Sequence, residues 1–298
     1  MKKKKLSKTE LRSTVNFYAY ILPWLVGFIV LTAYPMIASL YLSFTDSDMG
    51  GKANFIGFQN FIHAFTEDQQ FWISFQNTLV YVAVFVPLSL ILSFLIGWLL
   101  SRNIKGLSFF RTVFYLPYIT SGVAVTILWG WIFNGNYGLI NYALSFFGIQ
   151  GPDWLGNKNT ALFCIVIMSL WSIGNNIIIM LAGIQDIPKS YYESAEIDGA
   201  STLRQVFTIT IPLLTPTIYF NLIIGIIGAF QLFNQPYILT NGGPVDATRT
   251  VSMVIFQNAF QYSRMGYASA VAWCLFVVIM VITVIIQKSS KKWVFYDN

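Results

Sequence analysis

The chain has 298 residues, of which 56% are hydrophobic, 17% aromatic and 10% charged, with a formal net charge of +6. Soluble globular proteins carry roughly 25% charged residues. This composition therefore excludes a soluble domain, and because the charges fall in short segments, long apolar runs lie between them.

Six windows of the chain contain no Asp, Glu, Lys or Arg: 17–45, 69–101, 112–152, 159–185, 205–245 and 265–287. A helix that crosses the hydrocarbon core needs about 20 apolar residues. We predict an all-α integral membrane protein, a single transmembrane domain over residues 1–298. Its six helices are expected at about 18–42, 77–100, 113–133, 161–184, 214–237 and 265–287.

Lys and Arg are distributed unequally between the segments that connect these helices. Fourteen of the 18 lie on one side: Lys2, Lys3, Lys4, Lys5, Lys8, Arg12, Arg102, Lys105, Arg111, Lys189, Arg204, Lys288, Lys291 and Lys292. The other side holds only Lys52, Lys158, Arg249 and Arg264. By the positive-inside rule both termini are expected in the cytoplasm, as is the segment between helices 4 and 5. The first apolar run is too long for a signal-peptide core and has no small-residue cleavage site, so we expect it to remain as a helix.

Several elements carry specific expectations. Pro35 should kink helix 1, and the lone His63 should be a solvated residue of the first outer loop. Helix 4 carries the amides Asn175 and Asn176 at membrane depth, where polar groups need partners. Residues 251–260 look helical and apolar enough to lie along the outer membrane face or dip into it.

The inner segment, residues 186–212, holds the densest group of acidic residues in a chain with only 12 Asp and Glu. Pro188 is typical of the first turn of a helix, which we expect to run to about Ile197. Gly199 should end it, and Ser201 can cap a second short helix through about Phe207. Pro212 and Pro216 would then mark re-entry into helix 5. The alternative is an ordinary polar loop between two spans.

The chain lacks the motifs of an enzyme or of an ion-coupled carrier. It has no GxxxxGK[ST] phosphate loop, no Cys/His metal spacing and no His within a span. No ionisable side chain other than Tyr and Cys lies in the predicted spans, whereas proton pumps and secondary transporters place such residues at membrane depth. Uphill transport would therefore draw its energy from a partner. A stand-alone facilitator or secondary carrier for a small polar solute is the alternative, and a membrane transferase lacks a catalytic group.

The inner segment carries a family resemblance. Glu193-Ser194-Ala195-x-x-Asp198-Gly199-Ala200, followed by Ile209-x-Ile211-Pro212-Leu213, resembles the EAA signature of binding-protein-dependent ABC importer permeases. Ser194 replaces the usual first Ala, one small residue for another. Other features are similar to the carbohydrate-uptake group, the maltose, glycerol-phosphate and lactose permeases: Leu22-Pro23, Tyr34-Pro35, Leu116-Pro117-Tyr118, Leu128-Trp129, Phe133-Asn134, Trp171 and Asn241-Gly242-Gly243-Pro244.

The resemblance implies a type I importer permease and a set of partners. These are a second related permease, two copies of a cytoplasmic ATPase that carry ATP and Mg, and an extracytoplasmic solute-binding protein. The chain itself would hold no catalytic residue, cofactor or metal, would bind no nucleic acid, and would sit in the lipid of a bacterial cell membrane. The residues implied to dock on the ATPase are Tyr192, Glu193, Ala195, Asp198, Gly199, Ala200 and Pro212.

The resemblance also implies a sugar site within the membrane. It maps onto Tyr118, Ile173, Asn176, Phe230, Gln231 and Asn234. Ile173 and Asn176 depart from the small and the aromatic residue of the maltose-type pattern, and the mapping in helix 5 needs a two-residue gap. The helical spacing of 230, 231 and 234 places these three residues on one side of helix 5. The alternative role for such amides is interhelical hydrogen bonding.

Overall fold

The computed structural model describes residues 8–48, 50–51, 53–102 and 106–295. Lys2 to Lys5, Lys52 and Lys105, which contribute to the charge count, lie outside the described residues. The described part is all-helical, as predicted. Its β pairing is limited to two isolated bridges, Thr45 with Phe55 and Asp48 with Arg264.

Fifteen α-helices follow one another in the described part of the chain. They are α1 (Lys8–Phe28), α2 (Tyr34–Leu42), α3 (Gln59–Thr66), α4 (Gln69–Ser101), α5 (Leu107–Ile119), α6 (Gly122–Ile132), α7 (Leu139–Ser145), α8 (Ala161–Trp171), α9 (Gly174–Gln185), α10 (Lys189–Ile197), α11 (Thr202–Gln205), α12 (Ile211–Phe230), α13 (Asn234–Leu239), α14 (Val251–Phe256) and α15 (Met265–Ser290). Wider π-helical turns lie at Ile29–Ala33, Val206–Thr210 and Gln257–Gln261.

Four helical runs in the described part of the chain are long and apolar enough to cross a membrane: Asn16–Leu42, Gln69–Ser101, Thr202–Leu239 and Met265–Ser290. Two more candidates are bent pairs: α5 meets α6 at 97°, and α8 meets α9 at 49°. Counting each pair as one span gives the six predicted, but the helices predicted at 113–133 and 161–184 are not continuous.

Local chemistry explains the sharper of the two bends. Pro117 removes a backbone donor from the last turn of α5, and the Thr120 hydroxyl donates to the Leu116 carbonyl at 2.9 Å. Thr120 itself is extended, with φ −75° and ψ 146°, so the helix ends there.

Helix α4 begins eight residues earlier than predicted. The Asp68 carboxylate caps it, accepting from the backbone N–H of Gln70 at 2.8 Å and of Phe71 at 3.2 Å. Its 33 residues span about 50 Å, whereas the hydrocarbon core is about 30 Å thick. The helix therefore extends beyond the membrane core.

The prolines of two other spans follow irregular helical turns, and the kink expected at Pro35 stays a prediction. Both Pro35 and Pro212 follow a π-helical turn, Ile29–Ala33 and Val206–Thr210 respectively. Such a turn interrupts the regular i→i−4 ladder and accommodates a residue without an N–H. Pro212 and Pro216 consequently lie inside one helical run that begins at Thr202, not at a loop-to-helix boundary.

The core forms around α4. It contains Phe71 and Tyr81 of α4, Ile165 of α8, Phe230 of α12, Val254 of α14 and Val271 of α15. Residues 251–260 are helical as predicted, and Val251, Met253 and Val254 are fully buried within the chain. Their position at the outer membrane face stays a prediction. Several apolar neighbours within the chain cover this short helix.

Candidate functional site

The inner segment turns at Gly199. This residue has φ +72°, a conformation in which a Cβ is disfavoured. The N–H of Gly199 donates to the Glu196 carbonyl at 3.0 Å, and that of Ala200 donates to the Ala195 carbonyl at 2.8 Å. These two bonds form a Schellman motif, which satisfies the last carbonyls of α10 and fixes the direction of the chain.

Helix α10 is tied to the base of α12 by one side-chain hydrogen bond. The Tyr192 hydroxyl lies 2.9 Å from the Thr210 hydroxyl, and Tyr192 is half-buried. Ser201 caps α11 as predicted, accepting from the Arg204 N–H at 3.4 Å. The buried Gln205 amide donates to the Ala200 carbonyl at 3.3 Å. The inner segment is thus one short helix fixed against the start of a long one.

The residues implied to dock on an ATPase divide into two groups. Glu193, Asp198 and Gly199 are exposed. Tyr192, Ala195, Ala200 and Pro212 are half-buried and face their own chain, at least in part. Tyr192 in particular bonds to Thr210.

Sequence reasoning missed three exposed apolar side chains of the inner segment. Ile197 is 87% exposed at the tip of α10, and Leu203 and Phe207 are about two-thirds exposed. The signal was present in the sequence, since apolar residues here interrupt a polar segment. Leu203 and Phe207 line an apolar groove beside α4, whereas Ile197 does not.

The charged residues of α10 are not placed where they would stabilise the helix through its dipole. Lys189 is its first residue, and Glu196 lies in its last turn. The helix dipole favours the opposite arrangement by about 0.3–1 kcal/mol per charge. Intrahelical stability therefore does not account for the acidic end of α10.

The predicted sugar-site residues lie at or near three interruptions of the membrane helices. Tyr118 precedes the α5–α6 bend by two residues, and Ile173 lies in the α8–α9 break, with Asn176 three positions later. Gln231 follows the last residue of α12, and Asn234 is the first residue of α13. Interrupted helices place backbone and side-chain polar groups at membrane depth, where transporters bind solutes.

The helices that flank these interruptions contact one another. A Cβ added at Gly174 would lie 2.4 Å from the Phe114 carbonyl oxygen, so the α8–α9 break contacts α5 directly. A Cβ on Gly130 of α6 would lie 2.9 Å from the Leu239 side chain of α13. The Trp129 and Trp171 rings, 6.0 Å apart, join α6 to α8. Trp129 Nε1 is buried without a hydrogen-bond partner among the described residues.

Two of the six predicted sugar-site residues are buried. Phe230 is 0% exposed in the main core, and Ile173 is 6% exposed. Tyr118, Gln231 and Asn234 are exposed, and Asn176 is half-buried. The helical-spacing argument for residues 230, 231 and 234 is wrong, because α12 ends at Phe230 and a new helix begins at Asn234.

The side of the molecule opposite the inner segment is held by polar contacts between loops and spans. The Asn77 amide of α4 donates to the Asp246 carbonyl at 2.7 Å and to that of Arg249 at 3.0 Å. Arg249 also forms an ion pair with Asp246 at 2.7 Å. In the first loop, hydrogen bonds from the Asn54 side-chain amide and backbone N–H hold the pKa of Asp46 below its ordinary value.

His63 belongs to this side as well. Its Nδ1 lies 2.8 Å from Glu67 Oε2, and its ring packs edge-on against that of Tyr267 at 5.2 Å. Its side chain is 44% exposed, so His63 is solvated as predicted while it also contacts Glu67 and Tyr267.

Residues 78–296 match the family model described as the inner membrane component of binding-protein-dependent transport systems. The chain belongs to this family. The match covers the three helix interruptions and the whole inner segment, so both candidate sites of the permease lie within the family domain.

Relatives of this permease include several sugar transporters. The chain is 43% identical over 298 residues to "Probable ABC transporter permease protein YesP" of Bacillus subtilis (strain 168), covering 99% of this chain and 96% of YesP. It is 31% identical to the arabinooligosaccharides transport system permease protein AraP of the same organism, over 93% of this chain and 88% of AraP. It is also 31% identical to the trehalose/maltose transport system permease protein MalF of Thermococcus litoralis, over 96% of this chain and 97% of MalF.

The fold of the permease is also found in a solved transporter. A chain of the bacterial alginate ABC transporter, crystallised in complex with an alginate pentasaccharide-bound periplasmic protein, superposes with a TM-score of 0.82. The alignment covers 95% of this chain and 96% of that one, at 24% sequence identity. The shared feature is the fold of an ABC importer permease.

Proposed function

We propose that this permease imports a sugar or oligosaccharide, which it receives from an extracytoplasmic binding protein and passes through the membrane by alternating access. Hydrolysis of ATP on two separate cytoplasmic subunits would drive the cycle. The relatives named for arabinooligosaccharide and for trehalose/maltose transport support the substrate class. The observation that carries the ATP-driven step is the exposed end of α10.

Helix α10 has the features of a docking element. Its C-terminal end presents Ile197 and Asp198 beside the exposed Glu193, and the Schellman turn fixes the direction of the chain at that end. Tyr192 joins the helix to Thr210. Because α11 continues without a break into α12, a displacement of the inner segment reaches the membrane through a helix. Rigid helices that transmit the motion of a partner are one established means of switching between two states.

A second permease is the expected partner in the membrane. The apolar run Asn16–Leu42 contains no buried residue in its most hydrophobic stretch, although its second half, α2, contacts α15. Exposure to lipid alone is compatible with such a helix, but the binding-protein-dependent family works with paired permeases, as the sequence resemblance implies. We propose that the first helix packs against the second subunit.

The sugar would contact the polar groups at the helix interruptions. Tyr118, Gln231 and Asn234 are exposed there, and amides and tyrosine hydroxyls form hydrogen bonds with sugar hydroxyls. Trp129 Nε1 is a further donor that lacks a partner in the described part of the chain. Phe230 and Ile173 would support the site by packing, since both are buried.

The docking proposal is tested by co-purification and uptake. An affinity-tagged Glu193→Lys variant, expressed with the cognate ATPase, should lose most of the bound ATPase and most of the uptake of radiolabelled oligosaccharide. Lys158→Glu, a matched charge reversal on the predicted outer side, should retain the ATPase. Undiminished ATPase binding and uptake in Glu193→Lys would contradict docking through α10. A wild-type chain that transports without any ATPase would instead identify a stand-alone carrier.

A further inference from the structure

Two adjoining cavities lie at the inner ends of α4 and α12. The first, of about 370 Å³, is a groove lined only by apolar side chains, among them Ile91, Phe94 and Leu95 of α4 and Phe207 and Ile211 at the start of α12. The second, of about 570 Å³, is polar and is bounded by α4, α9, α10 and α11. Trp98 and Val206 line both, so the two cavities share a wall.

The polar cavity carries more positive than negative charge. Its charged lining residues are Arg102, Lys189 and Glu196. The Arg102 guanidinium lies 4.2 Å from the centre of the Trp98 ring, which orients it by a cation–π contact. Within the described residues, neither Arg102 nor Lys189 has a carboxylate within ion-pairing distance. Both cations are therefore available to an anion.

The apolar groove could hold the apolar part of an amphipathic ligand whose anionic group lies in the polar cavity. Its lining exposes essentially no polar surface, and Ile91 and Leu95 are about half exposed along the side of α4. A ligand that occupied both cavities would place an apolar chain beside Phe94 and a negative group beside Arg102. Phospholipids with anionic headgroups have this combination, and basic pockets between helices at the cytoplasmic face bind such headgroups.

We infer that α4, α10 and α12 form a binding site for one anionic phospholipid of the inner leaflet. The headgroup phosphate would lie in the polar cavity between Arg102 and Lys189, and one acyl chain would occupy the apolar groove. The inference rests on the proposed orientation, in which these helix ends face the cytoplasm. Since Lys189, Tyr192 and Glu196 of α10 line the same cavity, the lipid would also support the docking helix.

The test is photolabelling of the full-length permease with the partners that co-purify with it, in phosphatidylcholine nanodiscs. The probe is phosphatidylglycerol with a diazirine at the end of one acyl chain, and labelled peptides are identified by mass spectrometry. We expect labelling of residues 90–98 and 203–218, displaced by unlabelled phosphatidylglycerol but not by added phosphatidylcholine. Removal of each cation should weaken labelling roughly fivefold, as expected for a basic residue near an anionic surface.

The variants separate a headgroup site from general lipid contact. Arg102→Gln combined with Lys189→Gln should lose most of the labelling, and Arg102→Lys should keep most of it. Lys288→Gln is the matched control, since Lys288 lies in the last turn of α15 and does not line the cavity. Equal size-exclusion profiles would show that all variants are folded, and Leu95→Trp, which keeps both cations but fills the groove, should lower labelling independently.

Three results would overturn the inference. Equal competition by phosphatidylcholine would mean ordinary annular lipid, and unchanged labelling in the double variant would exclude a role for the two cations. A cross-link from the groove to a second permease subunit would show that a protein helix covers it. Labelling requires neither ATP nor sugar, so its outcome is independent of whether the transport proposal succeeds.

Discussion

Gly199 is the residue on which the shape of the inner segment depends. Its φ of +72° lies in the left-handed region, which residues with a Cβ disfavour. A Cβ added at this position would meet no atom within 4 Å. The cost of a substitution is thus conformational and not steric. We predict that Gly199→Ala disfavours the turn by about 1 kcal/mol and reduces ATPase-coupled uptake, whereas Gly199→Asn retains more activity because Asn tolerates this conformation.

The control for this prediction is Gly228→Ala in α12. A Cβ at Gly228 also meets nothing within 4 Å, but its φ is not positive. Uptake and the ratio of transport to ATP hydrolysis are the measurements. If both alanine variants behaved alike, the left-handed conformation of Gly199 would have no functional role.

Phe230 and Asn234 differ in burial, and the difference predicts two kinds of defect. Phe230 is fully buried, and Phe→Ala changes in protein cores cost about 3–5 kcal/mol, so Phe230→Ala should lower the amount of folded permease. Asn234 is exposed at the start of α13, so Asn234→Ala and Gln231→Ala should leave folding intact and raise the substrate concentration needed for half-maximal uptake. Thermal unfolding and uptake kinetics separate the two.

Phe230, Gln231 and Asn234 show how much of a binding site can be predicted from residue type and spacing. An amide at membrane depth can be recognised in the sequence, but the assignment of Gln231 and Asn234 to a sugar site comes from the family resemblance. The spacing argument that placed both on one helix with Phe230 failed, because the end of α12 is not marked by Pro or Gly at that position. Normal uptake kinetics in both amide variants would count against the mapped sugar site itself.

At the scale of elements, the hydrogen bond between Tyr192 and Thr210 joins α10 to the base of α12. Loss of a single bond costs about 0.5–1.5 kcal/mol, so Tyr192→Phe should lower the coupling of ATP hydrolysis to uptake by up to roughly tenfold. Thr210→Val should have a similar effect, and the double variant should be no worse than either one.

Tyr191→Phe provides the matched control for this pair. Tyr191 is the neighbouring tyrosine on α10 and is more exposed, so its variant should couple normally. Fully additive losses in the double variant would show that the two hydroxyls act separately.

The second prediction at the scale of elements concerns Asn77, near the N-terminal end of α4. Asn77 donates to two carbonyls of the loop that precedes α14. Asn77→Ala leaves both without that donor, which costs about 1–3 kcal/mol where the groups are buried, and should lower the midpoint of thermal unfolding. Gln76→Ala, at an exposed position one residue earlier, should leave the midpoint unchanged.

At the scale of the whole molecule, the charge distribution predicts the orientation in the membrane. With Cys164 and Cys274 replaced by Ser, a single cysteine at Lys158 should react with a membrane-impermeant maleimide in intact cells. A cysteine at Lys189 should react only after the membrane is opened. The reverse pattern would invert the topology and would place α10 outside the reach of a cytoplasmic ATPase.

The sequence alone determined the membrane class, the number of spans and the position of the inner turn. Those follow from hydrophobicity, charge and the conformational freedom of one glycine, which are properties of short stretches of chain. Only the tertiary structure decided where helices break, that Val251, Met253 and Val254 are buried, and that Tyr192 bonds to Thr210. These depend on neighbours far away in sequence, such as α4 against α14, whose contacts outweigh local preference. Gly199 turns the chain by its own chemistry, but Thr210 holds the helix before it in place.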